Sequence, residues 1–424
     1  ASFRRDGSSK FGTEHQWGNF PSLDVAYRLK KDFFKDVSWV DDLKIRAGYG
    51  VVGNSDAIGP YSSIVLYGTA GRYYDAGNSS FPYPYSYAPV QNANPYLRWE
   101  ERHCRNIGLD FSFFHARLTG DINYYNDFTK NLLYSYTVPT PPFIYNSIFA
   151  NVGRLNNKGL EVSLTGQIVN GDDFNWTASG QIAFTKTKIT SLSGTYQGFE
   201  LTAAQIPIGY AQGRGLTSVA ITYLKAGYAP YTFFIPHYTG VDADGNQLFD
   251  GKSVQQYSDE GTSPENYNID PTPKFNYGLN NTFNYRNWSL SFFVRGVYGQ
   301  KIFNNTLLAY ETITRLPGNN VTREALTNGV KDAPAVSDRW LENASYLRLD
   351  NASLGYTFKN LKGFQGLRLY LAANNLFVIS KYRGIDPEVI VADNDLSYID
   401  ASYGGNGYYP KTRSFVIGAN VSFK

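Results

Sequence analysis

The 424-residue sequence contains no Met, one Cys, four His and no long apolar run. Each scarcity removes a class of protein. A lone Cys104 excludes an intrachain disulfide and a Cys-based zinc site, and it reads as a small strand residue. His15, His103, His115 and His237 are scattered, without the spacing of a metal site or a catalytic triad, and structural or solvated roles suit them. No Gly-rich loop follows a strand and opens a helix, so nucleotide binding has no support. With 39 basic and 36 acidic residues the formal net charge is +3, too even for a nucleic-acid-binding face. No segment approaches the ~20 apolar residues of a membrane helix. Behind the opening Ala1, Ser2, Phe3, Arg4, Arg5 there is neither an initiator Met nor an apolar leader, so a mature or internal piece of a longer protein is expected. A membrane β-barrel survives all of these exclusions. Its strands are only about 9–11 residues long and apolar on one side, which leaves a mean hydropathy of −0.36 unremarkable.

What the sequence does have is aromatic side chains, 16% of residues with 35 Tyr and 28 Phe, and a period of two. Leu160, Val162, Leu164, Gly166 and Ile168 alternate with Glu161, Ser163, Thr165 and Gln167, which puts apolar and polar groups on opposite faces of one strand. The same alternation runs through 42–51, 107–113, 118–124, 176–184, 277–285, 290–294, 367–373 and 415–423. Short links (30–41, 115–116, 171–173, 286–287 and 359–365) alternate with long excursions (53–96, 131–157, 191–273, 298–342 and 377–411). Short turns at one rim and long loops at the other describe an outer-membrane barrel. A sandwich or propeller spreads its loops over both ends. The excursion 191–273 leaves and re-enters from the loop side, so it holds an even number of spanning strands or none. A weak pair at 208–223 and 231–241 would bring the total to about fourteen. Aromatics near strand ends, at Tyr124, Tyr125, Tyr277, Tyr285, Trp288, Tyr356 and Phe358, suit headgroup girdles. A soluble antiparallel fold with Tyr-rich strand ends is the alternative. Gly418, Val421 and Phe423 in the last strand follow the glycine–apolar–aromatic spacing of a barrel-assembly signal.

Three polar or aromatic segments carry candidate chemistry. Asp242, Asp244, Asn246 and Asp250 occupy the first, third, fifth and ninth positions of a calcium-type loop. Gly245 falls two positions early and Ser253 stands where a bidentate Glu belongs, so a plain polar loop is favoured over Ca2+ and no metal site or cofactor is assigned. Tyr73, Tyr74, Phe81, Tyr83, Tyr85 and Tyr87, interleaved with Pro82 and Pro84, offer flat faces for sugars or peptide side chains. The same rings could dock a partner or pack internally. Tyr403, Tyr408 and Tyr409, among glycines, carry the same choice. No catalytic residue is assigned, and the protein is not expected to be an enzyme.

Several stretches resemble one family. RRDGSSKFG (4–12), WGNFPSLDVAYRL (17–29) and DDLKIRAGYGVVGN (41–54) look like consecutive barrel segments of the SusC-like (RagA-like) TonB-dependent transporters. NPYLRWE (94–100) leading into NIGLDFSFF (106–114) is similar, and VPTPPFIYNSIFANVGRLNNKGLEVSL (138–164) is the most specific stretch. RWLENASYLRLDNASLGYTF (339–358) and LYLAANNLFVISKYRGIDPEV (369–389) resemble the closing strands. The resemblance implies that residues 1–424 are the C-terminal portion of a transmembrane antiparallel β-barrel of about twenty-two strands. The plug, TonB box and first strands would lie outside this chain, and that remainder would close the barrel among outer-membrane lipids of a Gram-negative cell. It further implies import of oligosaccharides or oligopeptides, energised through the TonB complex, with a SusD-like surface lipoprotein as lid. A passive porin or structural barrel is the alternative function. A soluble carbohydrate-binding β protein is a third.

Overall fold

In a computed structural model, the chain is described except for residues 57, 79, 82, 217, 360–363, 389–397, 401–409 and 424. Twelve strands form one antiparallel sheet whose spatial order follows the sequence. They are β1 (Ser2–Gly7), β2 (Trp17–Arg28), β3 (Val40–Asn54), β4 (Glu100–Phe113), β5 (Leu118–Thr137) and β6 (Ser147–Asn170). Then follow β7 (Phe174–Ser191), β8 (Phe275–Tyr285), β9 (Trp288–Tyr298), β10 (Tyr346–Lys359), β11 (Phe364–Ser380) and β12 (Ser414–Phe423). The sheet is not closed: β1 pairs only with β2, and β12 only with β11, among the described residues.

Cross-strand register turns the period of two into two faces. One row runs Tyr27, Ile45, Leu109, Ile122, Val162, Ile182 and Tyr277 across successive strands. The row one residue away runs Arg28, Lys44, Asp110, Asp121, Ser163, Gln181, Gly278, Arg295 and Arg348. The apolar face is open to its surroundings, with Leu279 43%, Leu369 44% and Ile417 87% exposed. A soluble sheet would bury such a face against a second layer, so its surroundings are lipid.

Two aromatic rows bound that face. On the short-turn side Phe174, Tyr285, Trp288 and Tyr356 are register partners. On the loop side Tyr124, Leu160 and Phe184 are partners, and Phe275 stacks on Tyr298 with ring centroids 5.1 Å apart. Phe174 and Phe184 are ten residues apart, as are Phe275 and Tyr285, and Trp288 and Tyr298. At ~3.3 Å per residue that is roughly 33 Å of strand, or about 25 Å of membrane at a barrel tilt of ~40°. That height is the apolar band of an outer-membrane barrel. No helix of the described residues is long and apolar enough to cross a membrane.

The expected spanning pair in 191–273 is corrected. Ile206–Tyr210, Ala220–Leu224, Thr232–Pro236 and Asn266–Ile269 form a separate four-stranded sheet, so the large sheet has twelve strands where about fourteen were expected. The reason is burial without alternation. Phe233, Phe234 and Ile235 are consecutive and all buried, and Ile221, Phe233 and Ile235 pack with Phe303, Leu308 and Trp340 from the next long loop. Side chains that are covered on both faces by other loops are not facing lipid. The segment therefore takes the "none" branch of the parity argument.

Candidate functional site

The inner face carries its charges in matched sets, because each polar row brings neighbours into reach. Arg46 donates Nε–H to both oxygens of Asp110 at 2.9 and 3.0 Å and its terminal nitrogen to Asn123 Oδ1 at 2.7 Å. Lys44 reaches Asp110 at 2.6 Å, and Asn123 donates to Asp121 at 2.6 Å. Three strands thus share one hydrogen-bonded ladder facing the lumen.

Towards the loop side the inner wall opens into a recess of about 820 Å³ lined by Glu161, Gln181, Asn276, Phe293, Arg295 and Gln300, with Tyr231, Tyr346, Tyr398 and Glu388 among the other lining residues. Aromatic rings, amides and carboxyl groups in one concavity suit an elongated polar solute with apolar edges. One wall is built by a returning loop. Arg295 of β9 and Arg348 of β10 are direct register partners, a like-charge pair that strand pairing alone would disfavour. The loop after β11 neutralises it. Glu388 accepts from both terminal nitrogens of Arg295, Asp350 sits 3.1 Å from Arg295, and Asp386 lies 2.6 Å from Arg348. Arg348 Nε is 2.9 Å from Glu388, close enough for charge pairing but outside hydrogen-bond geometry. Tyr346 donates its hydroxyl to Glu388 at 2.7 Å, and Lys411 completes the cluster. Arg348 is 1% exposed, so these partners are what make its burial tolerable. Burial pushes the Glu388 carboxyl up, but the hydrogen bonds from Arg295, Lys411 and Tyr346, with the charge of Lys411, outweigh it and hold the group at about 2.

The sequence-selected aromatics lie elsewhere. Leu66–Arg72 and Tyr85–Gln91 form a hairpin whose connecting loop carries the remaining rings. Tyr73, Tyr74, Phe81, Tyr83, Tyr85 and Tyr87 are all exposed. Tyr74 and Tyr83 are 5.6 Å apart between centroids, and the Arg72 guanidinium lies 4.6 Å over the Tyr85 ring. None of the six lines the inner recess. Tyr403, Tyr408 and Tyr409 fall outside the described residues.

At the suspected cation loop, Asp242 Oδ1 accepts the backbone N–H groups of Asp244, Gly245 and Asn246 at 3.0, 2.9 and 2.8 Å. Its other oxygen accepts from the Asn246 amide, and Asp250 accepts from the Tyr267 hydroxyl. The carboxylate closes a hairpin turn between Tyr238–Val241 and Gln247–Phe249. His237 pairs with Asp338 at 2.6 Å, a contact that raises its pKa and makes it a loop staple. In β12, Gly418 lies under the Tyr370 ring, while Val421 and Phe423 are exposed.

Sequence reasoning missed the Arg295–Arg348–Glu388 cluster. Its signal existed in part: two arginines at inward positions of strands with a polar face, and an acidic Asp386–Pro387–Glu388 run in a later loop. Nothing in the chain order says that this loop folds back over those strands.

The family model "TonB dependent receptor-like, beta-barrel" matches residues 1–376. The TonB-dependent receptor SusC of Bacteroides thetaiotaomicron is 31% identical, over 99% of this chain and 41% of its own length. The TonB-dependent receptor P3 of Formosa agariphila is 29% identical, over 99% of this chain and 43% of its own. Among solved structures, the RagAB peptide importer in its "open-open" state superposes with a TM-score of 0.78 at 26% identity, covering 99% of this chain and 44% of that one. The chain therefore spans less than half the length of the relatives it matches.

Proposed function

The chain belongs to the TonB-dependent receptor-like β-barrel family, whose members are outer-membrane proteins, and from that premise we propose that it is wall and loops of a nutrient importer. The cargo is an oligosaccharide or oligopeptide, and the energy comes through TonB acting on a plug supplied by the rest of the protein. A SusD-like surface lipoprotein covers the loop side. The observation that carries this reading is the pairing of a lipid-height apolar outer band with a charge-matched inner wall opening into a recess of about 820 Å³ at the loop end. A route for a large polar solute needs both faces.

Further strands close the sheet by pairing with β1 and β12, since unpaired backbone edges in hydrocarbon cost several kcal/mol per group. In this reading the exposed rings Tyr73, Tyr74, Phe81, Tyr83, Tyr85 and Tyr87 meet a lid or an arriving ligand, and Gly418, Val421 and Phe423 serve assembly. Residues of this chain hold and orient cargo. In this reading the protein is a transporter, and no catalytic step or bound metal is assigned to it.

The test is uptake of labelled oligosaccharides and oligopeptides by intact cells carrying or lacking the gene, with and without a protonophore. One cargo class should be lost on deletion and blocked by the protonophore, and a lipoprotein should co-purify with the receptor. Uptake that persists with the proton gradient collapsed would instead establish a passive porin.

A further inference from the structure

The outer wall carries a second set of juxtaposed cations, and this one makes no ion pair among the described residues. Lys158 of β6 and Lys186 of β7 are direct register partners, both exposed. Cross-strand partners of this kind have Cβ atoms roughly 5 Å apart, and like charges there repel. The Arg295–Arg348 pair on the inner wall faces the same problem and is neutralised by Glu388, Asp350 and Asp386. For Lys158 and Lys186, the described residues provide no ion pair.

Their height on the wall is defined. Each lies two residues beyond the loop-side aromatic row, Lys158 past Leu160 and Lys186 past Phe184. Two residues of tilted strand rise about 5 Å, so the ammonium groups sit at headgroup level of the outer leaflet. Both line a recess of about 680 Å³ whose lower wall is Tyr124, Leu160 and Phe184, and whose upper wall brings in Lys274 and Lys301. Those two lysines also have no ion pair among the described residues. The acidic residue of the recess is Asp270, whose Oδ1 is taken by the Thr272 N–H and hydroxyl at 2.9 and 2.7 Å.

We propose that this recess binds a phosphorylated glycolipid of the outer leaflet, its phosphate among Lys158, Lys186, Lys274 and Lys301 and its acyl chains on the Leu160, Phe184 and Tyr124 side chains. Charge complementarity selects an anion, and the apolar floor directly beneath the lysines selects one attached to hydrocarbon. A free phosphate would use the first feature and not the second. The bound lipid adds anionic charge to a recess in which four lysines share the single carboxylate of Asp270, and it anchors the wall at a fixed height beside the long loops. The inference rests on the outer-membrane reading but not on transport, so the two can fail separately: uptake unchanged by deleting the gene, with lipid binding retained, strikes the import proposal alone.

The experiment uses the full-length receptor in detergent, with bound lipid read by native mass spectrometry on adding bisphosphorylated lipid A, its phosphate-free form, or inorganic phosphate. K158Q/K186Q should bind bisphosphorylated lipid A roughly tenfold or more weakly than the native protein, and K158R/K186R should bind it normally. Phosphate-free lipid A should bind the native protein no better than the phosphorylated form binds K158Q/K186Q. Equal binding of all forms to all variants overturns the proposal, as does competition by inorganic phosphate at the concentration of the lipid. Loss of a co-purifying lipoprotein from K158Q/K186Q, with lipid binding unchanged, also overturns it and makes the patch a protein dock. Heat-modifiable migration of each variant on a gel shows that the barrel is intact.

Discussion

A single loop carboxylate illustrates how much one residue decides here. Glu388 joins two strands that would otherwise repel through Arg295 and Arg348, and it is held at about 2 against an ordinary value of 4.5. A lowered folded-state value means stability that is complete above the ordinary value and lost as pH falls from about 4.5 towards about 2. Glu388→Gln should therefore lower the unfolding midpoint at neutral pH, at a cost of about 3–5 kcal/mol for breaking a buried pair, and should flatten the acid limb of the stability profile. Thermal melts of the detergent-solubilised receptor across pH 2–7 check both effects. A variant with native stability and an unchanged acid limb would show that Asp350 and Asp386 suffice. A polar group on the outer face follows the same logic in neutral form: Asn281 is buried there and its amide oxygen accepts from the Trp176 indole at 3.0 Å, which satisfies it in an apolar setting.

Strands pack against each other through aromatic rings laid over glycines. A Cβ on Gly418 would stand 2.3 Å from the Tyr370 ring, and one on Gly296 would stand 2.4 Å from the Tyr277 hydroxyl. The glycine of the terminal strand thus has a local packing reason as well as a proposed assembly role. The two separate by rescue. Gly418→Val should reduce the yield of folded receptor in the membrane, and adding Tyr370→Ala should restore it if packing is the cause. Failure of that rescue, with the folded fraction still low, would assign Gly418 to recognition by the assembly machinery. Among the long loops, the element-scale lesson is that a strand's burial pattern names its environment. Alternation of apolar and polar side chains without deep burial marks β7 and β8, whereas the unbroken burial of Phe233, Phe234 and Ile235 marks a strand packed among the loops.

Among the described residues, the twelve-stranded sheet leaves two edges unpaired. The chain of 424 residues by itself, refolded into micelles, should show no heat-resistant folded band on a gel, because edge N–H and C=O groups have no partners in hydrocarbon. Supplying the remaining part of the receptor should produce that band. A stable monomer from these residues alone would mean that β1 and β12 find each other.

The amino-acid order by itself determined the two-faced wall. Side-chain alternation in a strand is a local consequence of backbone geometry, so Leu160 to Ile168 could be assigned to faces without coordinates, and the alternation of short and long links oriented the wall. The aromatic cluster 73–87 was legible as a cluster because it is contiguous in sequence, but its exposure was not. Tertiary structure decided everything that joins distant segments. Whether 208–223 and 231–241 face lipid or Trp340 depends on a loop a hundred residues later. The Glu388 closure over Arg295 and Arg348, and the uncompensated pair Lys158 and Lys186, depend on register and on loops that fold back. Charges in one row interact through space with a steep dependence on distance, and chain order does not record that distance.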